Sequence, residues 1–272
     1  MGQVTYNWNA GGQASNVGGG TCVWSASEIS GDGVAGYILH LDTAAGDTIS
    51  TIDRVRIKSA GSTILDLSLT NLISYIQRAS RSNFTANVAV DQSLSIPLWV
   101  LDGRGSERYA SGFPNAQSPT VEVVQNAGAT AGTLFLGWRM YDTPFPFYTM
   151  ATSTATNCPP GSINFRVPIN SPGLLRYFGV NTTGLDRIRI IVNGQQLWDL
   201  SGDILRESQQ LEGLDGATAG DYMTFRLQEM VPVTAGNSYA EFSTSAATWA
   251  GVTNEFTTVT MVPQADTLQP KG

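Results

Sequence analysis

The chain has 272 residues, only 14% of them charged, with 29 glycines and many Thr, Ser and Val. That is the profile of an all-β protein with many turns, long enough for one large core or two ordinary ones. A net charge of −7 with no basic run excludes direct packing against a nucleic-acid backbone over most of the surface. No apolar run approaches a membrane span. The opening "MGQVTYNWNA" has neither the basic region nor the apolar core of a signal peptide, so synthesis and folding in a cytoplasm are expected.

In chain order, residues 1–33 are rich in Gly, Ser and Asn, with Trp8 and Trp24 as isolated anchors, and read as an extended N-terminal arm. "GYILHLDT" (36–43) is a strand. "DRVRIKSAGSTILDLS" (53–68) follows, in which Arg54 and Arg56 alternate with Val55 and Ile57, the period of a strand with one wet face. Ala60-Gly61 supplies a turn and a return strand runs through Ile64. Ser68 sits where a helix cap would, with Leu69, Leu72, Ile73 and Ile76 at helical spacing behind it. "NFTANVAV" (83–90) and "SLSIPLWVLDG" (93–103) read as strands joined by a short turn. Residues 102–119 form a long polar loop. "TVEVVQNAG" and "TLFLGWRMYD" suggest a hairpin. Residues 146–161, aperiodic and rich in Pro and Thr, are expected to link two halves.

The second half restates the first. "DRIRIIVNGQQLWDLS" (186–201) aligns without a gap on 53–68, at an offset of 133 residues from Asp53 to Asp186. Asp53, Arg54, Arg56, Ile57, Gly61, Asp66, Leu67 and Ser68 meet identical residues. Asn193-Gly194 is the pair that suits a type I′ turn. Ser201 takes the cap position before a helix carrying Ile204, Leu205 and Leu211. Strands at 162–169, 174–180, 222–230, 238–246 and 255–263 complete the unit. An offset near half the chain indicates duplication of one design. About eight strand-like runs per half is the jelly-roll count, although spacing alone permits other sandwiches. The expected division is an arm at 1–33, a first jelly roll at 34–145, a linker at 146–161, a second jelly roll at 162–263 and a tail at 264–272.

Chemistry is scarce. His40, the sole histidine, lies in an alternating strand and reads as a packed or surface residue, so a Ser or Cys triad is not expected. Cys22 and Cys158 lack the spaced partners zinc needs, and spacing does not say whether they pair. Asp66 and Asp199 hold equivalent places and read as capping or hairpin closure rather than as a glycosidase pair. Asp42, Asp47, Asp215 and Asp221 are carboxylates that could supply oxygen ligands to calcium, without any fixed calcium-loop spacing. No catalytic residue and no other cofactor is expected.

A duplicated β unit with long loops, little charge and no catalytic constellation resembles the double jelly-roll major capsid proteins of tailless icosahedral, membrane-containing bacteriophages. The similarity is to the corticovirus-like members of the PRD1–adenovirus lineage. It rests on the repeat at 53–68 and 186–201, the strand count, the linker, the loop at 102–119 and the arm. It implies two tandem eight-stranded jelly rolls with short helices, and no enzyme activity. It further implies a homotrimer with a pseudo-hexagonal footprint, tiling an icosahedral virion shell over an internal membrane. The implied partners are neighbouring capsomers, penton and minor capsid proteins, and the lipid membrane, touched by an arm carrying Tyr6, Trp8 and Trp24. Loop 102–119 would face outward. Two other classes fit less well: a secreted glycan-binding or amidase-like protein of two jelly rolls, which needs a secretion route, and a phage spike or receptor-binding protein, which usually carries a fibrous repeat.

Overall fold

The computed structural model describes residues 4–7, 13–15, 18–25, 33–42, 46–59, 62–80, 88–98, 100–101, 108–109, 113–114, 119–130, 133–141, 147–157, 164–211, 222–244 and 253–263. The chain divides into two compact units, Met1–Met150 with Val262–Gly272, and Ala151–Met261.

Unit 1 contains β1 (Val4–Asn7), β2 (Gln13–Ser15), β3 (Gly20–Ser25), β4 (Gly33–Asp42), β5 (Ile52–Ser59), β6 (Ser62–Ser68), α1 (Leu69–Ser80), β7 (Ser93–Pro97), β8 (Val100–Leu101), β9 (Arg108–Tyr109), β10 (Phe113–Pro114), β11 (Thr120–Gln125) and β12 (Thr133–Tyr141). One sheet runs β3-β11-β5-β6. In the other, β12 is flanked by β1 and β2 on one side and β4 on the other, and β7 and β10 line the far side of β4.

Unit 2 repeats that plan. It is built from β13 (Phe147–Asn157), within which the division falls, then β14 (Asn164–Pro168), β15 (Leu174–Asn181), β16 (Leu185–Val192), β17 (Gln195–Ser201), α2 (Gly202–Leu211), β18 (Tyr222–Pro232), β19 (Tyr239–Thr244) and β20 (Thr253–Pro263). Its sheets run β14-β19-β16-β17 and β13-β20-β15-β18. Strand for strand this is the order of unit 1, with the β1–β2 row in the place of β13 and with β8, β9 and β10 added. The duplication expected from sixteen residues therefore extends to the topology of both units. Each is an eight-stranded jelly roll, and the chain is a double jelly roll.

The repeated phrase folds as its pattern dictates. Val55 and Ile57 of β5, and Ile188 and Ile190 of β16, are fully buried, while the intervening arginines face outward. Asn193 and Gly194 have φ of 53° and 78°, the left-handed pair of a type I′ turn. Asn193 also fastens that turn to the β18–β19 loop. Its Nδ2 donates to Pro232 O (2.8 Å), its Oδ1 accepts from Thr234 N (2.8 Å) and its N donates to Ser238 Oγ (3.1 Å). Ser201 Oγ accepts from Ile204 N (3.3 Å), which makes Ser201 the cap of α2. In α1, Leu72, Tyr75 and Ile76 form the buried stripe, with Tyr75 OH donating to Pro97 O (3.0 Å).

Five expectations need correction. The stretch 1–33 is not simply an arm, because β1 and β2 pair with β12, and β3 pairs with β11. Its glycines allow a close backbone approach. A Cβ on Gly19 (φ +90°) would lie 2.7 Å from Asn126 O, and Gly18 N donates to Ala129 O (2.8 Å). The linker 146–161 is mostly β13, whose threonines favour a strand without marking an apolar face. Residues 88–90 are a turn rather than strand, with Val88 and Val90 exposed. The segments at 120–128 and 133–142 are not a hairpin, since β11 and β12 lie in different sheets. Part of loop 102–119 is short strand, β9 pairing with β8 and β10 with β4. Among the described residues no helix is long and apolar enough to cross a membrane.

Candidate functional site: twin charge ladders

Each unit carries one row of charges across the outward face of the sheet that holds the repeated phrase. The row follows from register. In unit 1, Asp66 of β6 stands opposite Arg56 of β5, which stands opposite Glu122 of β11, which stands opposite Val23 of β3. In unit 2, Asp199, Arg189, Glu241 and Arg166 occupy the same four places.

The contacts join residues that stand directly opposite or one diagonal step apart in that register. Asp66 Oδ1 accepts from Arg54 Nε (2.5 Å) and Arg56 Nε (3.1 Å). Glu122 pairs with Lys58 Nζ (2.7 Å). Asp199 takes Nε and Nη2 of Arg187 in a two-pronged pair, with Arg189 at 3.5 Å. Glu241 takes Arg189 Nη1 (2.7 Å) on one side and Arg166 Nε (2.8 Å) on the other. Arg166 also lies over the ring of Tyr239, 4.6 Å from its centroid. Paired in this way, these groups stiffen a face with charge-assisted bonds.

The electrostatics run in one direction. The hydrogen bond from Arg187 holds the Asp199 carboxyl below its ordinary range, and the bond from Arg166 does the same for Glu241. A carboxylate lowered in the folded state contributes stability that is complete above its unfolded pKa and is lost as pH falls through the lower folded value. Unit 2 is therefore expected to lose stability on acidification below the ordinary carboxylate range. An Asp199→Asn, Glu241→Gln double variant should show a shallower loss of melting temperature between pH 6 and pH 3 than the parent chain. Equal slopes in the two would remove this assignment.

Asp66 and Asp199, expected to close their hairpins, do so, and they lie in separate units. His40 Nδ1 bonds Ser93 Oγ (2.7 Å) across β4 and β7 at a half-exposed position. Cys22 is a buried free thiol, pushed up by burial, with Gln125 Oε1 3.9 Å from its sulfur. Trp24, expected as an interface anchor, is instead 3% exposed inside unit 1, because it alternates with outward Val23 on β3. Of the calcium candidates, Asp47 is buried and takes both the N–H and the hydroxyl of Thr130. Asp42 ends β4 opposite Thr133. Asp215, Asp221, Cys158 and Trp8 lie outside the described residues, as does the side chain of Tyr6. Among the described residues no three His, Cys, Asp or Glu side chains gather as a metal site.

Sequence reading missed Glu122, Glu241 and Arg166. A signal existed: each Glu is the third residue of its strand, in "TVEVVQ" and "YAEFST", the single charge in an outward slot of an alternating run.

With the fold and these faces in view, comparison with known proteins gives a consistent class. No protein-family profile and no curated protein sequence matches the chain. Among solved structures it is similar to the major capsid protein P2 from bacteriophage PM2, at 13% identity and a TM-score of 0.70, over 97% of this chain and 98% of that one. It is similar to the PBCV-1 virus capsid protein at 11% identity and a TM-score of 0.58, over 96% and 94% of the two chains. The Faustovirus major capsid protein gives 8% and 0.54, over 97% and 90%. At such identities the likeness is one of fold, and it spans both units.

Proposed function

We propose that this chain is the major coat subunit of an icosahedral, tailless virion, a structural rather than a catalytic protein. The observation that carries the reading is the repetition of one strand order in both units, combined with similarity over the full length of proteins named as major capsid proteins. Two like units per chain let three chains present six similar jelly rolls. A closed ring of six is a near-hexagonal tile, and such tiles cover a shell by repeated contacts. On this reading the chain works as a homotrimer in the virion. Its partners are neighbouring capsomers, penton and minor capsid proteins, and a membrane beneath the shell.

The test is the mass of the purified chain by light scattering behind a sizing column, with and without calcium, followed by electron microscopy of the concentrated sample. Three 29.0 kDa chains give a species of about 87 kDa that goes on to form shells or hexagonal sheets. A chain that remains monomeric under all these conditions and forms no ordered assembly would overturn the proposal.

A further inference from the structure

Asn193-Gly194 is the chain's one Asn-Gly pair, and such a pair carries a chemistry of its own. The backbone nitrogen that follows an asparagine can attack the side-chain amide carbon and close a five-membered imide. Glycine has no Cβ to hinder that approach. Asn193 and Gly194 are both exposed, so water and hydroxide reach the pair and burial does not shield it. In unit 1 the same place of the repeat is held by Ala60, which has no amide to lose.

The turn engages both reacting groups. The nucleophile is Gly194 N, whose N–H donates to Asn237 O (3.0 Å). The electrophile is Cγ of Asn193, and both ends of its amide are tied to the β18–β19 loop. Nδ2 donates to Pro232 O (2.8 Å) and Oδ1 accepts from Thr234 N (2.8 Å). A backbone carbonyl on one side and a backbone N–H on the other fix the amide's orientation, since a flipped amide would set like against like. Asn193 N donates to Ser238 Oγ (3.1 Å), and that hydroxyl donates to Thr234 O (3.2 Å). Ser238 is 2% exposed, so the latch is anchored in the body of unit 2. Gly194 N cannot attack while Asn237 O holds its proton. Cγ cannot turn towards it without leaving Pro232 and Thr234.

We propose that Asn193 is a latent deamidation site, closed in the folded chain by these hydrogen bonds and opened when the turn parts from the β18–β19 loop. In the open turn Gly194 N gives its proton to hydroxide and bonds to Asn193 Cγ. The Cγ–Nδ2 bond breaks, and the nitrogen takes a proton from water and leaves as ammonia. A further water opens the imide at either carbonyl, which leaves aspartate or isoaspartate at position 193. The change is one-way. A carboxylate has no N–H for Pro232 O, so two oxygens are left facing each other. It also adds a negative charge to a chain already at −7. Isoaspartate lengthens the main chain inside a two-residue turn, and loop length is what fixes the register of β16 on β17.

The parent chain, held folded and in urea at the same mildly alkaline pH, tests this. Residue 193 is followed by peptide mapping with mass spectrometry. The expected result is ready conversion in urea and conversion about tenfold or more slower in the folded chain, as for an amide that reacts only from an opened state. Ser238→Ala removes the hydroxyl that receives Asn193 N–H, and should convert faster than the parent while keeping a cooperative melt. If Ser238→Ala fails to fold, Asn193→Asp carries the second arm, because it installs the product at an exposed position. Its Gly194 and Thr234 amides should exchange about tenfold or more faster than in the parent. Equal conversion in the folded and unfolded chains overturns the closure. No conversion in urea overturns the site itself. Amides as well protected in Asn193→Asp as in the parent overturn the one-way step.

Discussion

Replacing Gly202 by alanine should destabilise unit 2 by roughly 3 kcal/mol or more, the upper end of overpacking costs, because the obstacle is backbone. Gly202 is the first residue of α2 and is buried, and a Cβ there would stand 2.0 Å from Leu185 O. Real Cβ contacts essentially never fall below 3.0 Å, so the helix start or the head of β16 must move. Intrinsic propensity argues the other way, since alanine improves on glycine in a helix by about 1 kcal/mol. The sign of the change therefore separates the two effects. Urea unfolding followed by circular dichroism reads it, and a variant as stable as the parent would show that no such close approach exists. Leu69 is the natural control. It holds the same place at the start of α1, where unit 1 admits a full leucine side chain, so Leu69→Ala should cost much less.

That contrast also marks how far the sequence could be read. The repeated phrase was legible because alternation is strict in it. Arg54, Arg56, Arg187 and Arg189 point out, aliphatic residues point in, and Asn193-Gly194 announces its own turn. About eight strand-like runs per half gave the jelly-roll count, and the family resemblance chose it over the other sandwiches that spacing permits. Where alternation fails, the reading failed with it. β13 carries threonine on both faces, so no apolar period marked it. β3 is six residues that begin on the last of three glycines, and its alternation of Cys22 and Trp24 with Val23 was too short to stand out. The pairing of β11 and β12 with different sheets was hidden for another reason. A short polar connection suits a hairpin and a crossing between sheets equally well, and only the burial of both strands decides. Ile204 was expected on the apolar face of α2 but is 53% exposed, while its neighbour Leu205 is fully buried. In a helix of ten residues one step of rotation separates the two. The charge ladders were half visible. Asp66 and Asp199 were found through the repeat, but Glu122, Glu241 and Arg166 are distant in sequence and meet them only through register.

The largest loss expected from a single side chain is that of Phe178→Ala, about 3–5 kcal/mol on the scale for buried phenylalanines. Phe178 is 0% exposed at the centre of the unit 2 core. Its ring stacks on Phe225 (5.4 Å) and Phe256 (6.2 Å) and meets Trp198 edge-on (5.2 Å). Alanine removes three ring contacts and leaves a cavity that rigid strands cannot fill, a loss that takes up much of the roughly 5–15 kcal/mol a domain holds. Phe165→Ala is the comparison. That ring stacks on Phe242 (5.1 Å) but is only partly buried at the edge strand β14, so its loss should be clearly smaller. Equal losses at the two positions in chemical unfolding would show that the core is not centred on Phe178.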